Sequence, residues 1–292
     1  MLFSLVSNGT PLTPDRSDAT IAWWSFTKTV LAAAALTLVR DGLIELDQPL
    51  PEGPFTLRQL LRHEAGLADY SELADYHGAV ARGDAPWPAD EMLQRLDASR
   101  LRYAPGDGWG YSNVGYLYVA RLIERVAGLA LDEALTQRVF VPLGLSRVRL
   151  VRREVDLHGV NMGAVATYDP GWVYHGLLVG PLVEAALCLD RLFASDFLAH
   201  SLLAQMQAVR TLGGPIPGRP WIAPGYGLGL MHGPVEGGRI LSGHTGVGPG
   251  SVVAVYRSVC GPDITTCAVF SDGTDEGAVE AEAVRLLSEH WV

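Results

Sequence analysis

The sequence has little cysteine, little positive charge and no long apolar run. Its 292 residues contain three cysteines, Cys188, Cys260 and Cys267. So sparse and odd a set excludes a disulfide framework. The set also lacks the paired Cys-x-x-Cys and histidine spacing of a zinc site, so no metal or other cofactor is implied. Cys260 and Cys267 fall where a turn between two strands would let them face each other, but free thiols in a reducing compartment are the expectation. Acidic residues outnumber basic ones, 32 to 22, for a net charge of −10. That balance argues against nucleic-acid binding and against docking on anionic membranes. The richest apolar run, Val30 to Val39, is far short of the ~18 residues of a membrane span. The N-terminus has no basic residue and only a brief apolar stretch, unlike a secretory signal. A cytoplasmic location is therefore expected.

What the chain does have is a globular composition, 48% hydrophobic and 18% charged, with enough length to bury one or two cores. The middle reads as helical: Ser25 to Arg40, Thr56 to Arg62 with Thr56 as N-cap, Asp90 to Leu96, Val114 to Ala127 and Leu131 to Val139. The last third reads as strands at Tyr226 to His232, Arg239 to Gly243, Gly250 to Arg257 and Thr265 to Ser271. A helix from Glu276 to His290 follows, with an apolar stripe to lay on that sheet. The fold class expected is α+β, an antiparallel sheet flanked by helices with a mainly helical lobe. Residues 1–24 and 195–292 would form the sheet lobe and 25–194 the helical lobe, with the active groove between them.

Three short motifs carry chemistry. Ser25-Phe26-Thr27-Lys28 places a hydroxyl and an amine on one helix face. The serine needs a base, and lysine can serve if burial or nearby cations lower its pKa. Tyr111-Ser112-Asn113 follows a Pro-Gly turn and offers a phenol, able to shuttle protons if cations lower its pKa, and an amide. His244-Thr245-Gly246 ends a strand, where the glycine lets a ligand approach the backbone. Alone, each motif reads as a cap or a turn. Together and in this order they match, with variants, the Ser-x-x-Lys, Ser-Asp-Asn and Lys-Thr-Gly set of penicillin-recognising serine enzymes.

On these motifs the chain resembles the class C β-lactamase and penicillin-binding-protein-like serine hydrolase family, which includes esterases, D-aminopeptidases and D-Ala-D-Ala carboxypeptidases. Supporting stretches are Asp41 to Asp47, Leu60 to Leu67, Tyr111 to Tyr116, Pro142 to Leu145 and Tyr226 to Gly229. The resemblance implies a β-lactamase/transpeptidase-like fold. Ser25 would be the acylated nucleophile, Lys28 its base or relay, and Tyr111 the relay to the leaving group and the activator of the deacylating water. Asn113 would orient substrate and Lys28. His244, Thr245 and Gly246 would line the groove, and the N–H groups of Ser25 and Val247 would form the oxyanion hole.

Two departures bear on function. His244 replaces the family's lysine, which removes a fixed positive charge. Only 24 residues precede Ser25, so the N-terminal part of the sheet is expected to be shortened to one good strand, Thr20 to Trp24 or Leu2 to Ser7. The sheet would then be smaller, or another subunit would cover an edge, as in a homo-oligomer. His63, His175, His232 and His290 are read as structural, and Glu184 and Asp190 as solvated or capping. The function expected is hydrolysis of small esters or amides through an acyl-enzyme on Ser25. The alternatives are a D-amino-acid peptidase or weak β-lactamase, and a non-catalytic binding protein that keeps the fold.

Overall fold

The computed structural model describes residues 1–13, 18–165, 167–194, 196–260 and 263–289. His290 and the Cys260 side chain lie outside the described residues. Strands are β1 Leu2–Ser7, β2 Thr10–Pro11, β3 Thr20–Ala22, β4 Pro49–Leu50, β5 Gly53–Thr56, β6 Arg149–Val151, β7 Leu177–Pro181, β8 Arg210–Thr211, β9 Gly225–Tyr226, β10 Met231–Pro234, β11 Ile240–Gly248, β12 Ser251–Cys260 and β13 Asp263–Asp272. Helices are α1 Thr27–Arg40, α2 Leu57–Leu61, α3 Ala74–Arg82, α4 Ala89–Arg95, α5 Asn113–Ala127, α6 Leu131–Leu135, α7 Leu182–Ala194, α8 His200–Gln207 and α9 Glu276–Glu289.

The main sheet has eight antiparallel strands in the order β2-β1-β13-β12-β11-β10-β9-β8. Period-2 alternation gives it two apolar faces. Val252, Ala254, Tyr256 and Val269 meet Val279, Ala283 and Leu287 of α9. Val253, Val255, Ala268 and Phe270 point the other way, into the larger core, where α7 packs on β1 and β13. Helix α7 thus belongs to the sheet by packing, although its residues lie within 25–194.

The short N-terminus supplies more sheet than expected. Leu2–Ser7 and Thr20–Ala22 are both strands, but in different sheets. β1 pairs with β13 in the main sheet, and β3 pairs with β7 in a three-stranded sheet with β6.

Helix α1 is the centre of the molecule. Every residue from Thr27 to Leu38 is buried, as expected of a helix apolar all round, and α5 packs against it. Thr56 caps α2 through a capping box with Gln59, and Gly128 ends α5 in the left-handed region. The stretch from Leu131 to Val139 is split, α6 giving way to a π-turn at Thr136–Phe140. The single strand expected over Tyr226 to His232 is also divided, into β9 and β10. The turn between them presses on other chain: a Cβ on Gly227 would meet the Met206 carbonyl at 1.9 Å, and one on Gly229 the Ala32 side chain at 2.3 Å. Thr29 of α1 donates to the Gly229 carbonyl at 2.7 Å, which ties this turn to α1.

Candidate active site

Ser25 does not open α1 as the sequence suggested. It sits in a 3-10 turn, Trp24–Phe26, between β3 and α1. Trp24 has φ +41°, a region costly for a bulky residue. Its ring is pinned: Nε1 donates to Ser251 Oγ at 2.9 Å, and Tyr168 meets it edge-on at 5.5 Å. The bend turns the chain so that Ser25 faces the end of β11. A Cβ on Gly246 would stand 2.6 Å from the Ser25 nitrogen, and one on Gly248 would stand 2.4 Å from the Trp24 ring.

Ser25 Oγ has two polar neighbours. Lys28 Nζ lies 3.2 Å away, and Tyr111 Oη donates to it at 2.9 Å. Lys28 is the single lysine of the chain. It is fully buried, with its Nζ 5.0 Å from the Tyr111 ring centroid and 5.7 Å from that of Tyr116. Burial lowers its pKa from 10.5 to about 7, opposed by the charge of Asp69. The amine therefore exchanges a proton near neutrality. No cation lowers the Tyr111 pKa among the causes that act on it. Burial dominates and raises its pKa, with the Ser25 bond acting weakly the other way, so Tyr111 is a neutral phenol.

Asn113 is engaged differently from the expectation. Its Nδ2 donates to Asp69 Oδ1 and Oδ2 at 3.1 and 3.2 Å, and its backbone N–H to Oδ1 at 3.0 Å. Ser71 completes this knot at 2.5 Å. Asp69 is buried, and nothing in the sequence marked it, because Asn113, the motif residue it holds, lies 44 residues away.

His244 is neutral. Its Nδ1 bonds the Thr245 carbonyl at 2.7 Å and so carries the proton, which leaves Nε2 to accept from Tyr226 Oη at 2.9 Å. Burial first, and then the charge of Lys28, push its pKa down to about 3. Thr245 points to the opposite face of the sheet. Its hydroxyl donates to Glu280 at 2.5 Å and meets Tyr256 Oη at 2.7 Å. Val247 is 38% exposed.

The other expected histidines divide. His63 lies under the site, 4.3 Å from the Tyr111 ring, and accepts the Ser112 N–H on Nδ1. His232 meets Ser242 at 2.8 Å, away from Ser25. His175 reaches Lys28, with Nε2 at 3.2 Å from Nζ. Asp190 and Glu184 are not solvated. Asp190 is fully buried and accepts from Gly9 and Thr266, and Glu184 holds Arg147.

Two adjoining cavities open on Ser25, of about 380 and 370 Å³. The first is aromatic, with Trp24, Tyr70, Tyr76 and Tyr168. The second holds Tyr111, His244, Arg219 and Glu276. Arg219 is spent on protein carboxylates, with Glu276 at 2.5 Å and Glu280 closer still. Among the described residues, no cluster able to hold a metal ion occurs, and no helix is long and apolar enough to cross a membrane.

The chain is similar to a D-aminopeptidase of Brucella anthropi, 29% identical over 98% of this chain and 55% of that protein. It is also similar to the lovastatin esterase of Penicillium rubens, 28% identical over 53% of this chain and 47% of that protein. The chain thus spans about half the length of these two relatives. The structure of D-amino acid amidase from Ochrobactrum anthropi SV3 shares the fold, with a TM-score of 0.79 at 22% identity, covering 98% of this chain and 96% of that one. The Beta-lactamase family model matches residues 3–288, and the chain belongs to that family.

Proposed function

We propose that the chain is a serine hydrolase that cleaves small esters or amides through an acyl-enzyme on Ser25, in the groove between its sheet and helical lobes. The observation that carries this reading is the Ser25 hydroxyl held between the chain's one buried lysine and the Tyr111 phenol. Neutral Lys28 takes the Ser25 proton as Oγ attacks the carbonyl carbon. The oxyanion accepts from the N–H groups of Ser25 and Val247, an arrangement whose donors each contribute about 3 kcal/mol in comparable sites. Tyr111, protonated because it is buried, gives its proton to the departing oxygen or nitrogen, and the proton taken up by Lys28 restores the phenol before the next turnover. Water then releases the acid by the reverse proton path. Asn113, fixed by Asp69, presents its amide to the substrate.

A second reading, hydrolysis of D-amino-acid amides or peptides, is favoured by the similarity to a D-aminopeptidase. Carboxylate-bearing substrates, such as β-lactams and C-terminal D-alanine peptides, suit the groove less well. His244 is neutral and Arg219 is already paired. The aromatic cavity suits an apolar acyl or leaving group. A reducing, cytoplasmic setting fits the free, buried thiols of Cys188 and Cys267.

The test is turnover of p-nitrophenyl acetate and butyrate, D-phenylalanine amide and a chromogenic cephalosporin by the protein and by Ser25→Ala, with intact-mass detection of an acyl adduct. Ester or amide turnover that disappears in the variant supports the reading. No turnover and no adduct on any substrate would leave the binding-protein alternative.

A further inference from the structure

His175 has no part in the reaction as derived above, yet it is one of only two groups at hydrogen-bond distance from Lys28 Nζ among the described residues, Ser25 Oγ being the other. The ring is buried, 3% exposed, in the segment between the turn Pro170–Trp172 and β7. The remaining polar groups around Lys28 reach it through their rings or their charge alone. They are Tyr111 and Tyr116 on the α5 side, His63 beyond α2, His244 on β11 and the Asp69 carboxylate.

We propose that His175 is a positioning residue for Lys28: its Nε2 accepts a Lys28 N–H and so turns the amine's lone pair onto Ser25 Oγ. The inference rests on the reading of Lys28 as the base. A neutral amine has two N–H bonds and one lone pair, and rotation about Cε–Nζ decides which of them faces the serine. Only an amine whose lone pair faces Oγ can take its proton. An acceptor fixed at 3.2 Å on another side selects that rotamer. The role requires the His175 proton on Nδ1, because the other tautomer would donate to the lone pair and occupy it. Among the described residues, Nδ1 has no protein partner, and neither has the buried Tyr174 hydroxyl. Both residues line a cavity of about 380 Å³ behind the site, between α5 and β6. Burial and the neighbouring charge of Lys28 keep the ring neutral, as an acceptor must be.

The experiment uses the single lysine. Lysine labelled with ¹³C at Cε gives one side-chain resonance, whose titration reads Lys28 directly. It is followed in the wild type, His175→Phe and His175→Gln, alongside the pH dependence of Ser25 labelling by a fluorophosphonate. His175→Phe should label at least tenfold more slowly at pH 8.5, and its Lys28 titration should move to lower pH, because the ammonium loses an acceptor. His175→Gln, whose Oε1 accepts but cannot ionise, should recover most of the labelling rate. If His175→Phe does not fold, His175→Asn, too short to reach Nζ, replaces it. Wild-type labelling and an unmoved titration in the variant overturn the proposal. So does slow labelling that His175→Gln leaves unrepaired with the titration unmoved, since the ring would then serve packing alone. A wild type that does not label at all would overturn the hydrolase reading itself.

Discussion

Gly246 lies against the backbone of Ser25 so closely that a Cβ built on it would stand 2.6 Å from the Ser25 nitrogen and 2.7 Å from the Trp23 carbonyl. Both obstacles are backbone, held by the 3-10 turn and by the Trp23 N–H bond to the Leu178 carbonyl, so neither yields cheaply. Gly246→Ala must push β11 away from Ser25 and spread the two proposed oxyanion donors. The expected outcome is a fall in kcat on the order of 10²-fold or more. The stability loss should be about 1–3 kcal/mol, the usual cost of overpacking. Steady-state kinetics beside urea denaturation separate the two effects. Unchanged kcat would show that the oxyanion does not bind there.

Lys28 makes activity and stability pull apart. Its pKa falls from 10.5 unfolded to about 7 folded, so the unfolded chain holds the extra proton between those values. Folding stability attributable to this group therefore rises as pH climbs from about 7 to 10.5, and the full penalty stands below 7. For catalysis the neutral amine is needed, so kcat/KM should rise with pH to a plateau with an apparent pKa near 7. Lys28→Met should abolish turnover and stabilise the protein at pH 6 by a few kcal/mol, since a buried ammonium is replaced by an apolar chain of similar length. Thermal unfolding at pH 6 and a pH–rate profile check both halves. A destabilised Lys28→Met variant would contradict the buried-amine account.

Much of the candidate site was legible because its groups are local in sequence. Ser25 and Lys28 are three apart, Tyr111 and Asn113 two apart, and His244 to Gly246 contiguous, so short motifs found them. The turn that holds Ser25 was not legible. Helical spacing ran through Ser25 without a break, and only tertiary contacts of the Trp24 ring keep its φ positive. The roles of Asp69 and His175 were missed because the motif residues they hold, Asn113 and Lys28, are 44 and 147 residues away. The division between β9 and β10 escaped because alternation and glycine alone cannot tell a bulge from a turn pressed onto α1. Leu2–Ser7 and Thr20–Ala22 competed for one place in the sequence reading, and the fold uses both in separate sheets.

Behind the His-Thr-Gly strand, Glu280 collects four partners. Arg219, Trp221 Nε1, Tyr256 Oη and Thr245 Oγ1 all converge on a carboxylate that is 1% exposed. This knot fastens α9 to β11 and fixes the strand that faces Ser25. Among the described residues, Glu280→Ala leaves Arg219 with Glu276 as its one ion-pair partner, orphans the Trp221 donor and leaves the Thr245 and Tyr256 hydroxyls to each other. The expected loss is about 3–5 kcal/mol of stability, the usual result of removing one member of a buried charged pair. Denaturant midpoints of Glu280→Ala and Glu280→Gln measure it. Gln keeps an acceptor and should lose less.

The neutrality of His244 sets the charge preference of the groove. Asp69 and Glu276 face the second cavity, while Arg219 is bound to two carboxylates and His244 stays uncharged well below pH 5. Among the described residues lining that cavity, a substrate carboxylate meets no free cation. A neutral p-nitrophenyl ester should therefore exceed its hemisuccinate analogue in kcat/KM by about tenfold, an interaction difference of about 1.4 kcal/mol. The ratio should stay flat from pH 6 to 9, because neither His244 nor the substrate carboxyl titrates in that window. His244→Lys should narrow the ratio. The same variant should move the acid limb for the neutral ester below 7, since a second cation beside Lys28 disfavours its ammonium form. If the ratio instead changed through pH 6.5 and that change vanished in His244→Gln, the imidazole would be titrating in the usual histidine range. The buried, neutral His244 on which this charge preference depends would then be wrong.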